Sequence, residues 1–269
     1  MESRRIIVSL FSVMALTLPI TSSNLVQAGN LVQNGDFSSY NQGGSIIPNH
    51  HYLAQIGNVN PPNGSLSGKG TLTGWTIYQG THTDNTNVTA AYAYLFNTAN
   101  QTYLVSPADA PPNGSNFLSI IGDTYPNYSV NSIQQTIGGL TIGTTYSVSF
   151  DWAASAYTGY IPNNIGWDVS LGGGTAQEVT VTNNSSGKTT AWMHQTFNFK
   201  ATSTSEVLEF LAVAPVHSGP PVALITNIDM EAVAVPEPST LVSLGLGSIA
   251  FVGVGLRRRS RALKSTSAT

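Results

Sequence analysis

Apolar residues recur at alternate positions in short runs along most of the chain. In Tyr146-Ser147-Val148-Ser149-Phe150-Asp151-Trp152, the four large apolar side chains fall on one face, because strand side chains alternate. Similar runs occupy residues 31–37, 75–78, 91–96, 116–121, 132–137, 166–171, 178–182, 190–200, 206–213 and 224–233. Clusters of Gly, Pro and Asn at residues 61–64, 111–114 and 172–174 are typical of turns. The pattern predicts an all-β fold of about ten strands arranged as a two-sheet sandwich.

The N-terminal residues have the pattern of a secretory signal peptide. Arg4 and Arg5 precede an apolar stretch at residues 6–20, and Val26-Gln27-Ala28 places small residues where signal peptidase cleaves. We therefore expect a signal peptide over residues 1–28, with cleavage between Ala28 and Gly29. The alternative is an N-terminal membrane anchor, but the stretch is shorter than the roughly 20 residues that span a bilayer.

A second apolar segment lies near the C-terminus. Residues 241–256 carry no charge and are followed by Arg257, Arg258 and Arg259. This segment, extended by Thr240, predicts a transmembrane helix over residues 240–256. An arginine cluster over residues 257–261 and a cytoplasmic tail over residues 262–269 follow it. The arginines act as a stop-transfer signal, so the preceding domain faces outward. A permanent single-pass anchor is the alternative to a processed tail.

The motif Val235-Pro236-Glu237-Pro238-Ser239, followed by this Gly-rich apolar span and the arginines, resembles the PEP-CTERM sorting signal. The resemblance covers residues 235–261, and the same tail is also labelled an ice-binding protein C-terminal domain, which describes the tail and not ice binding. It implies recognition by an exosortase, an integral-membrane cysteine transpeptidase, with cleavage near Pro236-Glu237-Pro238. The expected location is the inner membrane at first, and then the cell envelope or extracellular surface.

Composition narrows the possible chemistry. The chain has no cysteine, which excludes disulfides, thiolate zinc sites and a cysteine nucleophile. Residues 29–235 contain eleven acidic residues and three lysines, a net charge of −8. Nucleic acid is therefore not an expected partner, because phosphate binding needs a basic surface.

A second resemblance extends over residues 29–234. The motif Asn30-Leu31-Val32-Gln33-Asn34-Gly35-Asp36-Phe37, then Leu72-Thr73-Gly74-Trp75 and later segments ending at Ile228-Asp229, is similar to exported galactose-binding-like jelly rolls, including choice-of-anchor domains. The resemblance implies a jelly-roll sandwich. These families often place an acid directly after the Phe of the first motif, where this chain has Ser38. Asp36 and Asp229 are the candidate ligands of a structural calcium, and two surface aspartates are the alternative.

The acidic residues and histidines form no recognisable catalytic motif. Glu206 and Glu209 differ in parity along a predicted strand, so they face opposite ways. His50 and His51 have no spaced third metal ligand, and no Gly-x-Ser-x-Gly elbow is present. We expect no catalytic residues, although a hydrolase acting on polysaccharide remains an alternative.

Aromatic residues beside loops are the candidates for carbohydrate binding, because sugar rings stack on Trp and Tyr while polar side chains take the hydroxyl groups. Five of them lie in or next to Gly/Pro/Asn-rich segments: Tyr125, Tyr128, Tyr157, Tyr160 and Trp167. Trp75, Trp152 and Trp192 are expected in the core. The sequence thus predicts a surface protein associated with extracellular polysaccharide or a biofilm matrix, with a self-associating structural protein as a further alternative.

Overall fold

The computed structural model describes residues 29–43, 52–56, 70–78, 93–112, 116–121, 132–158, 164–182, 186–214 and 221–234. These residues form thirteen β-strands: β1 Tyr40–Asn41, β2 Ala54–Ile56, β3 Thr71–Leu72, β4 Thr76–Tyr78, β5 Ala93–Asn97, β6 Asn116–Ile121, β7 Ser132–Gly138, β8 Thr145–Ala156, β9 Ile165–Leu171, β10 Gln177–Val181, β11 Met193–Lys200, β12 Ser205–Val213 and β13 Pro221–Ala232. Within the described ranges, no helix is long and apolar enough to cross a membrane. The predicted signal peptide, transmembrane helix and arginine cluster lie outside these ranges.

The strands form two large antiparallel sheets. One sheet has the order β10-β9-β12-β7-β4 and the other β11-β8-β13-β6-β5-β2, while β1 and β3 form a small ribbon. If β6 to β13 are renumbered 1 to 8, the two sheets contain 1-8-3-6 and 2-7-4-5. This alternation of strands between two sheets is the double Greek key of a jelly roll. The predicted all-β jelly-roll sandwich is confirmed.

The main core lies between the two sheets and is centred on Phe210 of β12. Its ring packs against Phe150 of the six-stranded sheet at 5.2 Å between centroids, and against Trp75 and Trp167 at 6.3 Å. The indole of Trp167 donates a hydrogen bond across the core to the Leu224 carbonyl at 3.3 Å. A buried Trp with its N–H satisfied stabilises the interior through its large apolar area, at roughly 25 cal/mol per Å² removed from water.

A second apolar cluster covers part of the six-stranded sheet on its outer face, the face turned away from the core. Phe96, Phe117 and Leu224 are buried there beneath the loop formed by residues 98–112. The Gln101 side chain ties this loop together, because it both donates to and accepts from the backbone of Ala108. The loop therefore covers the apolar part of this outer face.

The predicted strand over residues 31–37 is wrong, although the segment does lie beside a strand. Leu31 N donates to Met230 O at 2.8 Å, so the segment runs along β13 beyond the point where β6 stops pairing with it. Asn34 and Phe37 both have φ of 54°, in the left-handed region, which breaks the extended conformation. The alternation of apolar residues here therefore reflects a docked loop.

Candidate binding site

A depression of about 900 Å³ lies on the outer face of the six-stranded sheet, where β8, β11, β13 and the N-terminal segment meet. The same alternation that turns Val148, Phe150 and Trp152 into the core turns Ser149 and Asp151 outward. The depression is lined mostly by polar side chains from four separate stretches of the chain. Its geometry therefore depends on the completed fold.

Asp151 is the organising residue of this depression. The side chain of Asp151 is only 7% exposed, whereas that of His194 is 63% exposed. One carboxylate oxygen of Asp151 lies 2.8 Å from His194 Nδ1, and the other accepts a hydrogen bond from Asn227 Nδ2 at 2.8 Å. When Nδ1 of the neutral imidazole donates to Asp151, Nε2 is left as an acceptor. The buried carboxylate thus fixes the orientation of two side chains that line the depression.

Asn227 occupies an irregular position in β13. The register between β13 and β8 shifts between Thr226 and Asp229, which marks a β-bulge. Asn227 has φ of 52°, a left-handed conformation that asparagine tolerates better than most residues. Bulges re-aim side chains near functional sites, and left-handed residues cost about 1–3 kcal/mol each unless the surroundings hold them. Here the bulge turns the Asn227 amide onto Asp151.

The electrostatics of the depression are negative. Asp36, Asp229 and Glu231 line it together with Asp151, and none of the described lining residues is Lys or Arg. Burial, and then the neighbouring Glu231 carboxylate, raise the pKa of Asp229. The arrangement favours neutral or cationic ligands and disfavours anionic ones.

The two candidate calcium ligands, Asp36 and Asp229, line the same depression. Asp36 Oδ1 already accepts hydrogen bonds from the Ser38 backbone N–H at 3.1 Å and from the Ser38 hydroxyl at 2.9 Å. Among the residues that the structure describes, no three His, Asp or Glu side chains form a group suited to a metal ion. Because calcium takes about six to eight oxygen ligands, backbone carbonyl, amide and water oxygens would have to complete a site here. Calcium binding stays a prediction.

The predicted platform of loop aromatics is wrong for two of its five members. Trp167 is fully buried in β9, on the inward parity shared with Val169 and Leu171, and so cannot stack on a ligand. Tyr157 is also buried, at the end of β8 beside the loop 98–112. The other three predicted members, Tyr125, Tyr128 and Tyr160, lie outside the described residues.

Tyr157 belongs instead to a cluster of tyrosines on the outer face. Its ring centroid lies 4.9 Å from that of Tyr103 and 5.7 Å from that of Tyr94, and Tyr52 packs on Tyr94 at 4.5 Å. Burial raises the pKa of the Tyr157 hydroxyl well above its usual value, although a contact with Ser119 opposes this effect. Tyr103, 41% exposed, is the outermost member of this cluster. The cluster mainly packs the sandwich, since two of its four rings are buried.

Trp192 is only partly buried, in contrast to its predicted place in the core. It packs edge-on against Phe117, with 5.4 Å between the ring centroids, and its indole donates to the Asp109 carbonyl at 2.8 Å. Trp192 stands two residues before His194, on the same side of the sheet. Pro112, from the same loop as Asp109, lines the depression. Trp192 therefore does not itself line the depression, but it is bonded to the loop whose Pro112 does.

Residues 234–259, which follow the sandwich in the chain, match the PEP-CTERM protein-sorting motif. The protein therefore carries a PEP-CTERM motif. The predicted resemblance of this segment is confirmed. The PEP-CTERM motif indicates export and sorting at the membrane, and the sandwich precedes it in the chain.

Solved structures resemble the sandwich only loosely. A structure described as CBM4 is 17% identical, with coverage of 75% of this chain and 99% of that one and a TM-score of 0.36. TmCBM61 in complex with β-1,4-galactotriose is 13% identical, with coverage of 59% and 88% and a TM-score of 0.35. The tailspike protein 4 enzymatically active domain of bacteriophage CBA120 is 13% identical, with a TM-score of 0.37; the match spans 60% of this chain but only 20% of the tailspike chain. No curated protein matches the sequence.

Proposed function

We propose that this protein is an exported cell-surface protein whose sandwich binds a saccharide chain in the depression around Asp151. The observation that carries the proposal is the buried Asp151 carboxylate, which holds His194 Nδ1 and Asn227 Nδ2 at 2.8 Å each. The exposed His194 and the half-buried Asn227 are thereby fixed before a ligand arrives, which lowers the entropy cost of binding.

The chemistry of the depression fits hydroxyl groups, which both donate and accept hydrogen bonds. His194 Nε2 and the Asn227 amide oxygen are acceptors, while the Ser149 hydroxyl supplies both functions. The partly buried Trp192 ring, which is bonded to the loop that carries Pro112 at the rim, is the apolar surface that we propose for stacking of a sugar face next to the depression. The negative charge of the lining favours neutral or amine-bearing sugars over uronic acids.

The PEP-CTERM motif supports the proposed route of this domain. Signal peptidase would remove residues 1–28, and the tail would hold the chain in the inner membrane until an exosortase acts near Pro236-Glu237-Pro238. The mature protein would then act at the surface, within extracellular polysaccharide or a biofilm matrix. Intact mass of the surface-extracted protein tests this route: retention of Arg257-Arg258-Arg259 would mean an unprocessed membrane anchor.

Saccharide binding is tested with the full-length protein in detergent, against a glycan array and the host's own exopolysaccharide, with and without calcium. We expect His194→Ala and Trp192→Ala each to weaken binding at least tenfold. Asn198→Ala, a change further along β11 at a residue that does not line the depression, is the matched control. Unchanged binding by the two site variants, or no binding to any glycan, would reject the proposal.

A hydrolase is the second candidate, because the oriented His194 also approaches a hydroxyl. His194 Nε2 lies 3.4 Å from Thr196 Oγ1, so Asp151, His194 and Thr196 follow the order of an acid, base and nucleophile. The distance exceeds the roughly 2.6–3.2 Å expected of an activated nucleophile, which favours binding over hydrolysis. A glycan-degradation screen with the wild type and Asp151→Asn separates the two functions: release of reducing ends by the wild type alone would establish hydrolysis.

A further inference from the structure

A second depression, of about 480 Å³, lies on the outer face of the five-stranded sheet, on the opposite side of the sandwich. Ile77, Ile133 and Phe210 point into the core, so their neighbours along β4, β7 and β12 point outward. Two exposed apolar side chains line the depression, Tyr78 at 42% and Val207 at 38% exposed.

The register of the strands gives the layout of this surface. Gln134 of β7 lies opposite Thr76 on one side and Glu209 on the other, and Thr136 lies opposite Val207. Tyr78 lies one outward position further along β4 than Thr76. A polar floor is thus flanked by an aromatic ring at one end and an aliphatic side chain at the other.

Hydrogen bonds hold the floor in place. Gln134 Nε2 donates to Glu209 Oε1 at 2.7 Å, which fixes both side chains. Gln135, 5% exposed, accepts from the Gln33 backbone N–H at 2.7 Å and donates to the Gln33 carbonyl at 2.9 Å. A depression whose polar groups are fixed in this way is preorganised for a ligand.

The lining residues themselves are uncharged, and the Glu209 carboxylate that accepts from Gln134 lies next to them. The described residues that line it are Leu31, Gln33, Gly74, Thr76, Tyr78, Gln134, Gln135, Thr136, Gly138 and Val207, and none carries a formal charge. By comparison, residues 29–235 as a whole have a net charge of −8. An uncharged set of amides and hydroxyls next to an exposed tyrosine ring matches the hydroxyl groups and apolar faces of a neutral sugar.

We infer that this depression is a second saccharide-binding site, which takes a neutral glycan segment. It goes beyond the proposed function, because the two depressions lie on the outer faces of opposite sheets. With about 10 Å between the packed sheets and side chains on both outer faces, one short saccharide cannot fill both depressions. A protein with both sites therefore bridges two glycan chains and cross-links them.

The experiment uses the full-length protein in detergent, with hydroxyethyl cellulose, galactan and mannan as neutral probes. Calorimetry with their short oligosaccharides gives the number of sites, and solution viscosity with the polymers reports cross-linking. The variants are Tyr78→Ala, Gln134→Ala and the ring-preserving Tyr78→Phe, with His194→Ala for the first site. Ile142→Ala, at a residue 63% exposed in a turn outside both depressions, is the control. Thermal unfolding verifies that each variant is folded.

We expect two sites per wild-type chain and one in Tyr78→Ala or Gln134→Ala, with affinity at the lost site reduced at least tenfold. Cross-linking should disappear in these variants and persist in Tyr78→Phe and Ile142→Ala. Wild-type stoichiometry and viscosity in both Tyr78→Ala and Gln134→Ala would overturn the inference. If only His194→Ala reduces binding, saccharide binds at the Asp151 depression alone and the present inference is rejected. If only the Tyr78 and Gln134 variants reduce binding, the second site is supported and the proposed function of the Asp151 depression is rejected.

Discussion

Gly35 lies against Ile228 so closely that a Cβ on the glycine would fall 2.0 Å from the Ile228 carbonyl oxygen. The two backbones are also bonded, because Ile228 N donates to Gly35 O at 3.1 Å. Ile228 follows Asn227 in the bulge of β13, and Gly35 and Asp36 line the same depression as these residues. The N-terminal segment therefore forms one wall of the proposed binding site.

Replacing Gly35 with Ala should destabilise the fold by about 1–3 kcal/mol, because the new methyl group forces the segment away from β13. Urea unfolding followed by tryptophan fluorescence measures this change. Gly138→Ala is the control, since a Cβ at that position meets no atom within 4 Å. Equal stabilities for the two variants would show that the segment can shift without cost.

Glu206 should make stability depend on pH in the acidic range. Burial alone would raise its pKa, but hydrogen bonds from the Thr202 hydroxyl and amide and the Ser203 amide outweigh this effect and lower it below the ordinary 4.5. A lowered pKa means that ionised Glu206 stabilises the fold above about pH 4.5, and that this contribution is lost as the pH falls through the lowered pKa. Glu206→Gln should be less stable than the wild type at pH 7, with a difference that shrinks in acid. The measurement is the melting temperature of both proteins between pH 7 and pH 3. A difference in melting temperature that stays constant over this range would contradict the prediction.

Among the described strands, β11 is at the edge of its sheet, and two glutamine side chains bond to its carbonyl groups, one from β10 of the other sheet and one from β11 itself. Gln177 Nε2 donates to the Asn198 carbonyl at 2.8 Å, and Gln195 Nε2 donates to the Thr196 carbonyl at 3.1 Å. Uncovered edge strands invite pairing with another chain. We expect the double variant Gln177→Ala/Gln195→Ala to self-associate at lower concentration than the wild type, as measured by analytical ultracentrifugation. If the wild type already associates and the variant does not differ, the edge is not the surface involved, and the self-associating alternative gains support.

Calcium should raise the melting temperature if Asp36 and Asp229 bind it, and a chelator should reverse the rise. Asp229→Asn should remove the response. Asp168→Asn is a matched control on the opposite sheet, because burial and a neighbouring carboxylate, Glu178, raise the pKa of Asp168 just as burial and Glu231 raise that of Asp229. Both variants remove a disfavoured negative charge and should be slightly stabilised at neutral pH without calcium. The same calcium shift in wild type and Asp229→Asn would exclude this site.

The predicted runs located the longer strands well, although only some of these strands alternate in burial: β7 and β12 have one face in the core and one partly exposed face, whereas β6 and β9 are buried on both faces. The boundaries of β6, β7, β9 and β12 fall within one residue of the predicted runs at 116–121, 132–137, 166–171 and 206–213. The strands β1, β2 and β3 lay outside the predicted runs, because two or three residues show little periodicity, whereas the run at 75–78 did include the equally short β4. Trp167 shares its parity with Val169 and Leu171, so its burial could have been predicted from the same alternation.

The binding site could be predicted only in part. The parity of Asp151 in its run puts it on the outer face, but its partner depends on the register between β8 and β11, which places His194 opposite it. Local sequence does not specify that pairing, nor does it specify the bulge that brings Asn227 to the same carboxylate. The parts of the site that the sequence missed are those created by contacts between distant strands.

The pairing of the N-terminal segment with β13 also sets an order of events during secretion. Asn30 and Met230, which are 200 residues apart, share a hydrogen bond, and β13 fills the middle of the six-stranded sheet between β8 and β6. In a chain that is exported N-terminus first, the N-terminal segment, β6 and β8 therefore lack their common partner until β13 has emerged. That strand ends at Ala232, two residues before the PEP-CTERM match begins. The sandwich can therefore close only when the sorting signal is itself about to reach the membrane. If export stopped before β13 emerged, the six-stranded sheet would lack its central strand.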